Sequence, residues 1–361
     1  MSNNVSVENW YIKMTGLGTL SDSPSSSTDR LFALWSARYL SESSCEAVSS
    51  YALTSSASLQ GRRRTAERLQ DDLIKESCKR AAIRTGDLYT HYKNLDLKET
   101  VELAQFAFQI YPALLDFYCN HDPIAARSRL NNKKSVVKSS LTVFTIPEIH
   151  TLASLVEPLL SKFQSEDIRS TDWQTRSFLT TELNLSGKLL LEFLSPAEKV
   201  LLSPYFTFLE EYVAIPWQRV CVAAADYPST SPKFKLVEQM LPQISKISRI
   251  VYTQGCERFE GYYNRRGQLK NPGVEHSSLR DLDMFQAYLW LCVLQGNLDA
   301  IEQELFVLCD LVYRGIGIPW EMASQATVYL VAEIMQNLKP SDQKLLDPYA
   351  YGLIKAFATA G

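Results

Sequence analysis

The chain has 361 residues, is 46% hydrophobic and carries a formal net charge of -3. That length and apolar content suffice for two modest cores, and the charge balance excludes the strongly basic face that nucleic-acid binding needs. Seven cysteines, odd in number, scattered and without a Cys-x-x-Cys spacing, exclude a disulfide framework and a zinc site and fit a reducing compartment.

Met1 to Ser27 lacks the continuous apolar stretch of a signal peptide and ends in Ser21-Asp22-Ser23-Pro24-Ser25-Ser26-Ser27, so residues 1–27 read as a flexible tail. Residues 28–163 read as a helical N-terminal domain. Within it Leu103, Phe106, Ala107, Ile110, Tyr111 and Leu114 recur at helical spacing and predict one buried stripe. The basic clusters Arg62-Arg63-Arg64 and Arg127, Arg129, Lys133 and Lys134 read as solvated faces rather than a polyanion site. His121-Asp122 reads as a helix end. The β-branched run Leu141 to Ile146 suits a short strand, and Pro147 the first position of the next helix.

The polar stretch Gln164 to Trp173 reads as the boundary to a second domain, 174–361. A helix is expected from about Gln174 to Phe193. Ser195-Pro196-Ala197-Glu198 is a strong start for the next, with a capping serine, a proline at the first position and a carboxylate three residues after the cap. Pro216-Trp217 opens another, to about Asp226. A long helix is expected from Phe234 to Arg258. After a loop from Asn264 to His276, Ser277-Ser278-Leu279-Arg280-Asp281 reads as a further helix start, with an apolar face of Leu282, Phe285, Leu289 and Cys292. That helix ends at Gly296-Asn297, and another runs to Gly317-Ile318-Pro319. Cys292 and Cys309 read as buried small hydrophobes. The most apolar stretch, Met284 to Leu294, is too short for a bilayer, which takes about 20 residues.

The four histidines, His91, His121, His150 and His276, include none placed deep in a helix for a haem, His276 being read in a loop. With no phosphate loop, nucleophile elbow or metal-spaced cluster, no residues stand for an enzyme. Locally, Asp281 suits a cap partner, and Arg280 a surface ion pair with Glu275 or Asp283.

The frame from Ser278 to Pro319 resembles the light-harvesting phycobiliproteins of cyanobacteria and red algae. Ser278 falls where that family has its bilin-linking cysteine, Arg280 and Asp281 on its Arg-Asp pair, Phe285 on a tyrosine, and Gly296, Glu302, Tyr313, Gly317 and Pro319 on further recurrent positions. Ile250-Val251-Tyr252 resembles the end of the family's preceding helix, and Leu345 to Ala356 its C-terminal helix. The similarity spans about Ser195 to Ala356.

The resemblance implies an all-α, globin-like C-terminal domain preceded by a separate helical one. It implies that the carboxylate at Asp281 would accept from bilin pyrrole nitrogens, and that Arg280 would hold a propionate. Ser278 lacks the thiolate that covalent attachment needs, and Ala287 falls where some members carry a second propionate-binding arginine. Cys256 is the alternative attachment site. The expectation is a non-pigmented phycobilisome-related protein without cofactor. It would act by contact with phycobilisome or photosystem proteins, or with copies of itself, in antenna assembly, attachment or turnover. It would be cytoplasmic, at the thylakoid surface through its partners. The alternative is a sensor or chaperone holding a bilin or another apolar ligand non-covalently.

Overall fold

A computed structural model of the chain describes residues 26–41, 48–89, 97–122, 144–145, 149–166, 173–264 and 266–358. The fold is all-α. Helix α1 (Ser27–Ser36) is opened by a Ser26 capping box with Asp29 and continues into a 3-10 turn, Ala37–Tyr39. Strand β1 (Leu40–Ser41) follows, then α2 (Ser50–Ala57), α3 (Leu59–Arg68), α4 (Asp71–Leu88) and α5 (Leu97–Asn120). Strand β2 (Phe144–Thr145), inside the stretch read as a strand, pairs antiparallel with β1, and α6 (Ile149–Glu166) follows. The tail up to Ser25, His91, the cluster from Arg127 to Lys134, Pro147 and most of the 164–173 boundary lie outside the described residues.

The stripe read on α5 is buried at all six positions. Of the Arg62–Arg64 cluster, Arg63 and Arg64 are exposed, but Arg62 is buried. Arg62 donates to the carbonyls of Ala57 and Cys119 and so ties α2 and α3 to the end of α5.

The second half runs through α7 (Trp173–Glu192), α8 (Pro196–Ala214), α9 (Trp217–Ala223), α10 (Pro232–Met240) and α11 (Ile244–Arg258). It continues through the short ladder of β3 (Tyr263–Asn264) and β4 (Gly267–Gln268), then α12 (Pro272–Gln295), α13 (Phe306–Ile316), α14 (Trp320–Gln336) and α15 (Pro340–Ala358). The α8 start is the expected one: Ser195 and Glu198 form a reciprocal box and Pro196 sits at its opening. Gly296 and Gly317, at φ 79° and 78°, end α12 and α13 in the left-handed conformation that glycine adopts without Cβ strain.

Two elements differ from expectation. The long helix expected from Phe234 to Arg258 is broken by a 3-10 turn at Leu241–Gln243, where Pro242 has no amide to continue the ladder. Helix α12 begins at Pro272, not near Ser277: Asn271 accepts from the Gly273 amide and Pro272 takes the first position, a start that lies upstream of the serines. Ser277 therefore caps nothing, and its hydroxyl donates back to the Gly273 carbonyl.

Helix α12 is the axis of the second half. Every side chain from Leu282 to Leu294 is buried, against α9, α10, α11 and α15. Helix α7 joins the halves by packing on α4, α5, α8 and α13. One hydrophobic cluster extends from Leu31 to Phe357. Each large apolar side chain fully buried there contributes about 1.5–3 kcal/mol.

Candidate functional site

Two adjoining clefts flank the N-terminal half of α12. The first lies between α7, α12 and α13 and is lined also by Tyr89 and by Arg266 of the β3–β4 turn. The second lies between α11, α12 and α14 and is mostly apolar, with Tyr252, Phe259, Phe285 and Tyr329 in its walls. Their volumes are about 90 and about 100 Å³. Ser278 and Asp281, one helical turn apart, line both clefts, whereas Arg280 faces only the first. Cys256 lines the second, and Cys309 the first. Burial pushes the Cys309 thiol well above its ordinary value, with the Asp281 carboxylate adding to the shift. That is the opposite of an activated thiolate.

Arg280 belongs to a partly buried ionic cluster around the buried Glu210 rather than to the open surface. Its Nη1 donates to Glu210 Oε1 at 2.8 Å and its Nη2 to Asp281 Oδ1 at 2.7 Å. Glu210, on α8, also accepts from Asn184 Nδ2 at 2.8 Å and meets His276 Nε2 at 3.0 Å. Burial alone would raise the Glu210 carboxyl, but His276, Arg280 and their hydrogen bonds hold it well below the usual carboxylate range. Burial would weaken the Arg280 cation, but Asp281 and Glu210 fix it as permanently charged. The neighbouring Lys188, which donates to Asn184 Oδ1, is lowered by burial, then by Arg266 and Arg280.

A second buried network lies one residue further along α8. Glu211 accepts from Tyr39 Oη at 2.8 Å and faces Arg38, whose guanidinium also binds Asp283 on α12. Asp283 accepts from Ser248, which in turn accepts from Gln286 at 2.9 Å. The Arg38 guanidinium lies over the Trp217 ring, 5.1 Å from its centroid. The segment before the first strand is thus wired into α8, α11 and α12.

Residues 223–357 match the model of the Phycobilisome protein family. The C-terminal part of the chain is consistent with a phycobiliprotein-like half, and its all-helical fold fits a globin-like domain. The match begins within α9, later than the Ser195 from which the resemblance was read, and ends close to Ala356. No curated protein and no solved structure matches the chain. Among the described residues, no helix is long and apolar enough to cross a membrane, and no group of His, Cys, Asp or Glu could hold a metal ion.

The structure places Ser278, Arg280 and Asp281 together in the lining of the first cleft. Their local roles differ from the sequence reading, because α12 starts early. Asp281 sits in the third turn and pairs with Arg280 instead of capping. The partners proposed for Arg280 are taken elsewhere: Glu275 pairs with Arg249 at 3.5 Å, and Asp283 with Arg38. His276 is in the helix, not in a loop, and faces Glu210. The sequence reading missed Glu210, Asn184, Arg38, Arg176 and Arg266. Glu210-Glu211 did leave a signal: two adjacent carboxylates inside the apolar run of α8 must be paired when buried.

Proposed function

We propose that this chain is a phycobilisome-related protein that works without an attached bilin, by contact with phycobilisome or photosystem proteins in assembly, attachment or turnover of the antenna. The observation that carries this reading is Ser278 in the lining of both clefts, where covalent attachment would need a thiolate. The surrounding chemistry agrees. Arg280 and Asp281 spend their strongest hydrogen bonds on each other and on Glu210. These features support a reading in which no bilin is held in the family's manner. The family-like unit is taken to run over residues 174–361, with the helical region before it as an addition. It has no catalytic role and would sit in the cytoplasm at the thylakoid surface, held there by partners.

The test is affinity capture of the tagged chain from a phycobilisome-containing cell, with mass spectrometry of what co-purifies. Antenna, linker or photosystem proteins are the expected catch, and their absence from repeated captures ends the reading. A second reading, non-covalent bilin binding, is favoured by one observation: Ser278 and Asp281 line both clefts at once. A visible absorption band in protein from its own host would support it. A colourless preparation that ignores added bilin would remove it.

A further inference from the structure

Glu182 is fully buried on α7, the helix against which α4 and α5 pack. Its Oε2 accepts from Thr85 Oγ1 of α4 at 3.4 Å, and its Oε1 has no hydrogen-bond partner among the described residues. It follows Thr180 by two residues and so points about 160° away from the first cleft, which Thr180 lines. The groups that face it are Cys78 and Thr85 of α4 and Tyr111 of α5, whose hydroxyl bonds Leu183 and Ser186 of α7. Burial raises Cys78 and Tyr111, and the Glu182 carboxylate raises each of them further. Neither supplies a positive charge. The other helices on α7 bring none to that side: on α8 Glu210 is itself an anion, paired with Arg280 and His276, and on α13 Cys309 and Tyr313 line the cleft. An ionised Glu182 is therefore stranded in a dry seam, and burial raises the carboxyl to about 8.

The helix that closes this seam is lightly held. The buried residues of α4 are Ile74, Ser77, Cys78, Ala81, Ala82 and Thr85, of which only Ile74 is a large aliphatic side chain. Little apolar area therefore opposes its release. Its end reaches the first cleft. Tyr89, which caps α4, lines that cleft, bonds Thr181 Oγ1 at 3.1 Å and packs on the Phe178 ring 4.5 Å away. We propose that α4 is a proton-latched flap: with Glu182 neutral it lies on α7 and holds Tyr89 in the cleft wall, and loss of the Glu182 proton releases α4 and withdraws Tyr89 from the cleft. The latch lies wholly outside the family-matching residues, so it belongs to the helices that this chain adds.

The closed form holds the proton more tightly than the open one. Its advantage is complete below the ordinary carboxyl value of 4.5 and is lost as pH rises through about 8. Hydrogen exchange read by mass spectrometry on the full chain, from pH 6 to 9 with times scaled to the intrinsic exchange rate, follows the opening. The opening constant of α4 through Tyr89 should rise about tenfold per pH unit between 6 and 8 and then level off, while that of α12 stays unchanged. Cys78 should gain reactivity towards iodoacetamide over the same range relative to Cys221, which is buried on α9. Glu182→Gln should keep α4 closed with no pH slope. Thr85→Val removes the hydrogen bond that favours the carboxylate and should move the levelling point to higher pH, a shift that general destabilisation does not produce. Equal opening of α4 at every pH, an unchanged slope in Glu182→Gln, or opening that α12 shares overturns the latch. Where Glu182→Gln fails to fold, an unmoved levelling point in Thr85→Val overturns it as well.

Discussion

Glu210 and Glu211 are neighbours in sequence and yet serve separate buried networks, because successive residues on a helix point about 100° apart. Glu210 faces Arg280 and His276, and Glu211 faces Arg38 and Tyr39. Removing one member of such a buried pair costs more than its interaction energy, because the other charge is left stranded. Glu210→Gln should therefore destabilise the chain by about 3 kcal/mol, read from urea unfolding at pH 7. The Glu210 carboxyl is held below its ordinary value of 4.5. Its contribution is thus present above about that pH and lost as acid protonates it, so wild type and variant should converge as the pH is lowered. Glu182 has the opposite sign. It is fully buried on α7, with one carboxyl oxygen unbonded and the other accepting from Thr85, and burial raises it to about 8. Its neutral form favours the fold below 4.5, and that advantage is lost as pH rises through about 8. Stability should fall between pH 5 and 8 by up to about 1.4 kcal/mol per unit from this group. Glu182→Gln should flatten that slope, which unfolding curves at three pH values would show.

At the scale of elements, the starts and stops written in side-chain chemistry were legible. The Ser195 box, the Gly296 and Gly317 ends and the α5 stripe all stand where the residues put them. Illegible were choices between competing signals: Asn271-Pro272 against Ser277-Ser278, and Pro242 against the apolar periodicity around it. Arg62 shows the same limit, since nothing local says which of three consecutive arginines turns inward. Ser278, Arg280 and Asp281 were singled out by resemblance, and they share the lining of the first cleft. The carboxylate that holds Arg280 from outside its own helix, Glu210, comes from α8, some 70 residues away, which no local pattern encodes. Gly61 illustrates a constraint visible only in three dimensions. A Cβ there would collide with the backbone carbonyls of Ser55 and Ser56 at the α2–α3 corner. Backbone cannot yield as a side-chain tip can, so Gly61→Ala should cost about 1–3 kcal/mol, measured as a lowered urea midpoint.

For the whole molecule, ancestry and cooperativity need not share a boundary. The family match covers residues 223–357, yet Phe32 and Trp35 of α1 belong to the same core, and Arg38 neutralises Asp283 within that matched stretch. A fragment comprising residues 174–361 should therefore unfold without a sharp transition, in circular dichroism and heat denaturation, where the full chain melts cooperatively. A sharp transition of undiminished midpoint would show that α1 is dispensable. Helix α12 carries a different consequence. From Leu282 to Leu294 it is buried throughout, so this stretch of the family-matching residues is hidden from any protein that meets it. Recognition has to be written on the outer rind, in residues such as Tyr351 on α15 and Val328 on α14. Two proteins of identical pedigree could thus answer to entirely different companions.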